Sequence, residues 1–201
     1  MLVKVCGMRE QLNANDVVAL GVDMMGFIFY APSARYVGDS TPITPAGVLR
    51  VGVFVNEHTD EIRRCVASHG LDIVQLHGAE SPRQCCELRS DGVKVIKAIS
   101  VVEASDFEIA QIYDGCVDYL LFDTKCVGYG GSGVRFDWRL LDNYSLSTPF
   151  LLSGGIDEDA AYEIVQISHK SFAGVDLNSR FESAPACKDA KKIEKFIKKI
   201  R

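Results

Sequence analysis

The residues best suited to chemistry stand at the ends of apolar runs. Cys6 closes LVKVC (2–6) and precedes Gly7. Asp123 closes DYLLFD (118–123), directly after Leu120-Leu121-Phe122. A lone cysteine in an apolar strand is usually inert core, but one at a strand end beside a glycine is placed to face a cavity. A carboxylate that ends so apolar a strand must be solvated, paired or neutralised. An apolar setting would raise its pKa and keep it protonated, ready to donate a proton. A thiolate base and a neutral carboxylic acid on opposite sides of one mouth form an acid/base pair. Other polar residues follow apolar runs in the same way: Asn56, His77-Gly78, Ser153-Gly154-Gly155, and Asp176 with Asn178 and Ser179.

Two glycine-rich segments add a second kind of chemistry. Gly128-Tyr129-Gly130-Gly131-Ser132-Gly133 satisfies the G-x-G-x-x-G spacing. The dinucleotide fingerprint, however, needs a strand directly before it and a helix opening inside it. Here the apolar run ends at Asp123, several residues early, so the segment reads as a mobile or phosphate-facing loop. Leu152-Ser153-Gly154-Gly155-Ile156-Asp157 sits between an apolar run and a helix-like segment. Glycines there let backbone N–H groups approach an anion, and a helix start adds positive potential.

Positioning these residues takes a repeated unit. Eight short apolar runs occur: LVKVC (2–6), MGFIFY (25–30), VGVFV (51–55), DIVQL (72–76), VKVIKA (93–98), DYLLFD (118–123), PFLLS (149–153) and FAGVDL (172–177). Several are almost wholly apolar, as strands covered on both faces are. Between them lie helix-like segments with start signals: Asp60-Glu61, Ser81-Pro82 and Asp157-Glu158-Asp159. Glu103 through Tyr113 also reads as an ordinary helix. Parallel strands need such crossovers. Two α/β architectures accept the pattern, a closed (β/α)8 TIM barrel and a doubly wound open sheet. The compact barrel is the preferred reading, as one domain over 1–201. Its second crossover is the weak unit: Ala31 to Arg50 holds prolines at 32, 42 and 45 and glycines at 38 and 47, which predicts a short or irregular connection. In either fold, sites form at the carboxyl ends of the strands.

Composition narrows the function classes. The 201 residues are 47% hydrophobic and 24% charged, with a net charge of −5. That is a soluble globular balance, and it disfavours nucleic acid as a partner. No apolar run has the length of a membrane span, and Met1-Leu2-Val3-Lys4-Val5 has no signal-peptide pattern. The chain reads as cytoplasmic. In a reducing compartment its seven cysteines are not expected to form disulfides; those at 65, 85, 86, 116, 126 and 187 receive no role. No C-x-x-C pair or histidine cluster suggests zinc. The segment 188–201 carries seven Lys/Arg against two Asp/Glu, with Ile193, Phe196, Ile197 and Ile200 at helical spacing. It reads as a final helix that packs this face on the sheet.

Taken together, KVCGM (4–8), GFIFYAPSARYV (26–37), VGVFVN (51–56), VQLHG (74–78), VIKAI (95–99), LLFDT (120–124), GYGGSGVRFDW (128–138), LLSGGI (151–156) and VDLNSRFE (175–182) resemble the phosphoribosylanthranilate isomerases of tryptophan biosynthesis. The resemblance runs in order along almost the whole chain. It implies an Amadori rearrangement of N-(5-phosphoribosyl)anthranilate, an aminoaldose, to the aminoketose 1-(2-carboxyphenylamino)-1-deoxyribulose 5-phosphate, without metal or redox cofactor. Carried over by position, Cys6 resembles the general base and Asp123 the general acid. Arg35 resembles the residue that holds the anthranilate carboxylate, a task its bidentate fork suits. Asp176 resembles the residue near the sugar hydroxyls or the amine. Gly131, Gly154, Gly155 and Ser179 resemble parts of a phosphate cradle.

Arg180 departs from the family, standing where a glycine is common. Arginine does not adopt positive φ cheaply, so either the backbone is rearranged or the side chain adds a cation beside the phosphate; the second is preferred. Related phosphosugar barrels fit less well. An indole-glycerol-phosphate synthase needs a catalytic lysine with glutamates at strand ends; Lys97 lies near one, but Cys6 with Asp123 does not fit that scheme. A pentose-phosphate epimerase needs a metal or an aspartate pair. A non-catalytic phosphate sensor would not need Cys6, Asp123 and Arg35 together. The expected partner is a small phosphosugar, and the expected state a monomer.

Overall fold

The computed structural model describes residues 1–124 and 135–201. Eight parallel strands close into a barrel in sequence order: β1 (Leu2–Val5), β2 (Met24–Ile28), β3 (Leu49–Phe54), β4 (Ile73–Leu76), β5 (Lys94–Val101), β6 (Tyr119–Thr124), β7 (Phe150–Leu152) and β8 (Phe172–Leu177). Closure comes from β1 pairing β8 in parallel, with Lys4 opposite Asp176. All eight expected runs form strands, and the barrel, not the open sheet, is the fold.

The two-residue period of a strand sorts the barrel interior into an apolar floor and a polar mouth. Leu2, Met24, Val51, Ile73, Tyr119, Leu121 and Leu151 pack together inside the amino-terminal half. Two or four residues further along the same inward faces stand Cys6, Gln75, His77, Asp123 and Ser153. The other faces of the strands build a larger apolar layer with the helices. That layer explains why the strands read as continuous apolar runs.

The helices are α1 (Gln11–Val18), α2 (Thr59–His69), α3 (Pro82–Ser90), α4 (Glu108–Gln111), α5 (Ala161–Val165) and α6 (Ala190–Ile200). Ser81 caps α3 through its side chain, with Pro82 in the first turn. Asp189 caps α6, which buries Ile193, Phe196, Ile197 and Ile200. The basic terminal helix is therefore part of the core. Among the described residues, no helix is long and apolar enough to cross a membrane.

The second crossover, 29–48, contains no helix. It is held instead by Arg50, whose guanidinium donates to the Pro42 carbonyl at 2.7 Å and the Thr44 hydroxyl at 3.1 Å. Two expectations are corrected. Glu103–Tyr113 is not an ordinary helix: it is a 3-10 turn over Ala104–Phe107 followed by the single turn of α4. Asp106 ties the start down by accepting from Val102 N and Glu103 N. The cysteines are also not all free thiols, because Cys86 of α3 is bonded to Cys116, 30 residues on. A short antiparallel hairpin, β9 (Glu182–Ala184) with β10 (Cys187–Lys188), follows β8.

Candidate active site

A cleft enclosing ≈ 810 Å³ out to its open mouth lies at the carboxyl ends of the strands. Cys6, Arg35, Asp123, Gly154, Gly155, Asp176, Ser179 and Arg180 all line it. Every candidate from the sequence is thus brought to one cavity, except Gly131, which lies outside the described residues.

Cys6 follows β1 and is 3% exposed. Gly26 on the neighbouring strand makes room for it, since a Cβ there would lie 2.7 Å from Sγ. Burial pushes the Cys6 thiol up, and the Asp176 carboxylate adds to this; the ammonium groups of Lys4 and Lys188 oppose it. Lys4, fully buried two residues before Cys6, donates to Asp176 Oδ2 at 2.8 Å. Burial raises the Asp176 carboxyl despite Lys4. Its Oδ1 is buried without a hydrogen-bond partner.

Asp123 stands at the mouth end of β6. Of the three settings open to it, solvated, paired or neutralised, it is paired. Oδ2 lies 3.2 Å from His77 Nε2, and Oδ1 accepts from Thr124 N at 2.8 Å. Gly154 packs against it: with φ at +81°, an added Cβ would meet Asp123 Oδ1 and Thr124 N at 2.6 Å. Glycine is required there twice over, by the left-handed backbone and by the approach. Gly155 is left-handed as well (φ +65°). The helix that follows is short, and Asp157 already accepts from the amides of Asp159 and Ala160. The first amides after this turn are therefore already taken, and the helix behind them is only one turn long.

Arg35 is not a free fork. Its Nε and Nη2 donate to the Glu182 carboxylate at 2.7–3.0 Å. Lys188 Nζ donates to the same carboxylate at 2.5 Å and to Asn178 Oδ1 at 2.7 Å. Burial would raise the Glu182 carboxyl, but Arg35 and Lys188 hold it below the usual range. One edge of the guanidinium is thereby fixed, and the residue lines the cleft. Arg180 sits in a 3-10 turn, Ser179–Phe181, and is not among the positive-φ residues. Replacing a glycine therefore causes no backbone strain there, and the exposed side chain lines the cleft.

Sequence reading gave no role to Lys4, Gln75, Glu182 and Lys188, and noted His77 only as a strand-end residue. The two-residue spacing of Lys4 from Cys6, and of Gln75 from His77, was the available signal. Lys97 faces away from the cleft. Its Nζ donates to the carbonyls of Leu76, Gly78 and Ala98 and pairs with Glu80 at 3.2 Å. Asn56 also turns outward, accepting from Ala79 N. Among the described residues no group of three or more His, Cys, Asp or Glu could hold a metal ion.

Residues 3–199 match the family described as N-(5'phosphoribosyl)anthranilate (PRA) isomerase. The chain belongs to this family. The N-(5'-phosphoribosyl)anthranilate isomerase of Phocaeicola vulgatus is 46% identical, over 100% of this chain and 98% of its own length. That of Parabacteroides distasonis is also 46% identical, over 100% and 93%. The crystal structure of the Thermotoga maritima isomerase superposes with a TM-score of 0.85 at 34% identity, covering 100% of this chain and 98% of that one. A further isomerase structure, in complex with reduced 1-(o-carboxyphenylamino)-1-deoxyribulose 5-phosphate, has a TM-score of 0.82 at 32% identity, covering 100% and 98%. The protein is an N-(5'-phosphoribosyl)anthranilate isomerase of tryptophan biosynthesis, an intramolecular oxidoreductase built on a TIM barrel.

Proposed function

We propose that Asp123 is the general acid and Cys6 the general base of the rearrangement. The observation that carries this reading is that both side chains line one cleft, from opposite parts of the barrel wall. Asp123 gives its proton to the ribose ring oxygen. The C1–O bond breaks, and the anilino nitrogen lone pair forms the iminium. Cys6, as thiolate, then takes the proton from C2. The C2–H electron pair becomes the C1–C2 double bond of an enolamine, which tautomerises to the ketone. A placed side chain contributes roughly 10²–10⁴ in rate for each such transfer.

Arg35 holds the anthranilate carboxylate with the end of its guanidinium that Glu182 does not use. Asp176, with an unpaired buried oxygen, sits by the sugar hydroxyls or the amine. Gly154, Gly155, Ser179 and Arg180 hold the phosphate, together with Gly131. The substrate is thus a small phosphosugar, with no nucleic-acid or membrane partner and no cofactor. The chain acts as one domain over 1–201 and as a monomer. A solved relative from Thermotoga maritima is described as dimeric, with monomers generated from it. Sedimentation at working concentration tests the monomer here.

The deciding experiment follows loss of phosphoribosylanthranilate fluorescence. Cys6→Ser and Asp123→Asn should each lower kcat by about 10²–10⁴ with little change in KM. Turnover within a few-fold of the parent in either variant would remove that residue from the mechanism.

A further inference from the structure

Gln75 and His77 stand two residues apart and line the cleft beside Asp123. Gln75 is 1% exposed, and its Nε2 lies 2.9 Å from His77 Nδ1. The other ring nitrogen, Nε2, lies 3.2 Å from Asp123 Oδ2. An amide nitrogen carries two hydrogens and offers no acceptor. The first contact is a hydrogen bond only if His77 Nδ1 accepts. The ring hydrogen then sits on Nε2, facing Asp123. This orientation leaves the Gln75 carbonyl oxygen buried without a partner. An unpaired buried acceptor is destabilising, and an apolar side chain of the same size would avoid it.

We propose that Gln75 is a positioning residue, which holds His77 in the tautomer that donates from Nε2 to Asp123 Oδ2. The inference rests on the reading of Asp123 as general acid and deepens it. In the opposite tautomer, Nε2 would present a lone pair and draw the Asp123 proton toward the ring. In the tautomer set by Gln75, that proton has no acceptor on His77 and stays available to the sugar ring oxygen. Once it has left, the carboxylate is received by two donors, His77 Nε2–H on one oxygen and Thr124 N–H on the other. His77 acts here as a fixed donor and not as a proton carrier.

The test is a long-range proton–nitrogen NMR spectrum of the ¹⁵N-histidine-labelled protein, with His77 identified by its disappearance in His77→Asn. The expected pattern is that of the Nε2–H tautomer; the Nδ1–H pattern, read in the protein with Gln75 in place, overturns the proposal. Kinetics supply the second arm. Gln75→Met should lower kcat roughly ten-fold with KM within two-fold, and the same substitution in a His77→Asn background should change kcat less than two-fold. A full ten-fold loss in that background overturns the proposal, because Gln75 would then act other than through His77. Gln75→Glu, which accepts where glutamine donates, should turn the ring to Nδ1–H and lower kcat at least as far. The outcomes separate the two readings: an Nδ1–H ring removes only the role of Gln75, whereas retained turnover in Asp123→Asn removes the acid assignment itself.

Discussion

Cys6 is a buried thiol flanked by two buried ammonium groups. Burial raises it, and Lys4 and Lys188 oppose that rise. Asp176, Asp123 and His77 face the same cleft, as does Arg35 with Glu182 behind it. Removing one opposing cation must push the thiol higher. In Lys188→Met the rising limb of kcat/KM against pH should move to more alkaline pH than in the parent; a superimposable profile would disconnect Lys188 from Cys6. Glu182 has the reverse linkage. Its carboxyl lies lower in the folded protein than the ordinary 4.5, so its pairing stabilises the fold fully above that value. The contribution is lost as pH falls below 4.5 and through the folded value. Glu182→Gln leaves Arg35 and Lys188 without their anion and should cost about 3–5 kcal/mol at pH 7. In urea unfolding, that gap between variant and parent should narrow on acidification below pH 4.5. Cys6 and Asp123 could be read from sequence because each ends an apolar run. Glu182 could not, because its partner Arg35 is 147 residues away and only barrel closure brings them together. The partner of Asp123 stayed open for the same reason: His77 comes from another strand.

At the scale of the element, the strands were legible and several connections were not. An inward or outward face repeats every two residues and leaves its mark in local composition. The 3-10 turn at 104–107 and the one-turn α4 leave none, because the same apolar residues serve a full helix equally well. Asp106 decides the matter by spending its carboxylate on the backbone at 102 and 103. Two glycines test how the elements hold the acid/base pair. Gly26 is not left-handed, so Gly26→Ala needs no strained backbone, but its Cβ would meet Cys6 Sγ at 2.7 Å. That variant should remain folded, destabilised by about 1–3 kcal/mol, and lose far more kcat than KM. Gly154→Ala adds a φ of +81° to a Cβ at 2.6 Å from Asp123 Oδ1. Its loss of stability should exceed that of Gly26→Ala, with thermal melting and steady-state kinetics on both proteins as the check. Equal kcat in Gly26→Ala and the parent would mean that the position of Cys6 does not matter to turnover.

The whole molecule is closed by β1 against β8 and clasped from outside by α6. That helix was readable because four apolar residues recur on one face, and they are the ones buried. Its end is tied back by Arg201, which donates to Asp23 and to the Gly21 carbonyl before β2. The disulfide was not readable: compartment argued against it, and no local spacing pairs Cys86 with Cys116. Neighbouring crossovers bring them together, since α3 packs beside β5 and Cys116 lies just before β6, the strand that pairs with β5. The bond spans 30 residues, and in the chain-entropy account a closed loop of that length stabilises the fold by about 3–4 kcal/mol. Neither cysteine lines the cleft. Reduction, or Cys86→Ser with Cys116→Ser, should therefore lower the urea midpoint by an amount of that order while kcat and KM on phosphoribosylanthranilate stay within two-fold. Matching midpoints for the oxidised and reduced protein would show that the bond does not constrain the unfolded chain. A parallel fall in kcat would show that the α3–β6 wall transmits strain to Asp123 at the end of β6.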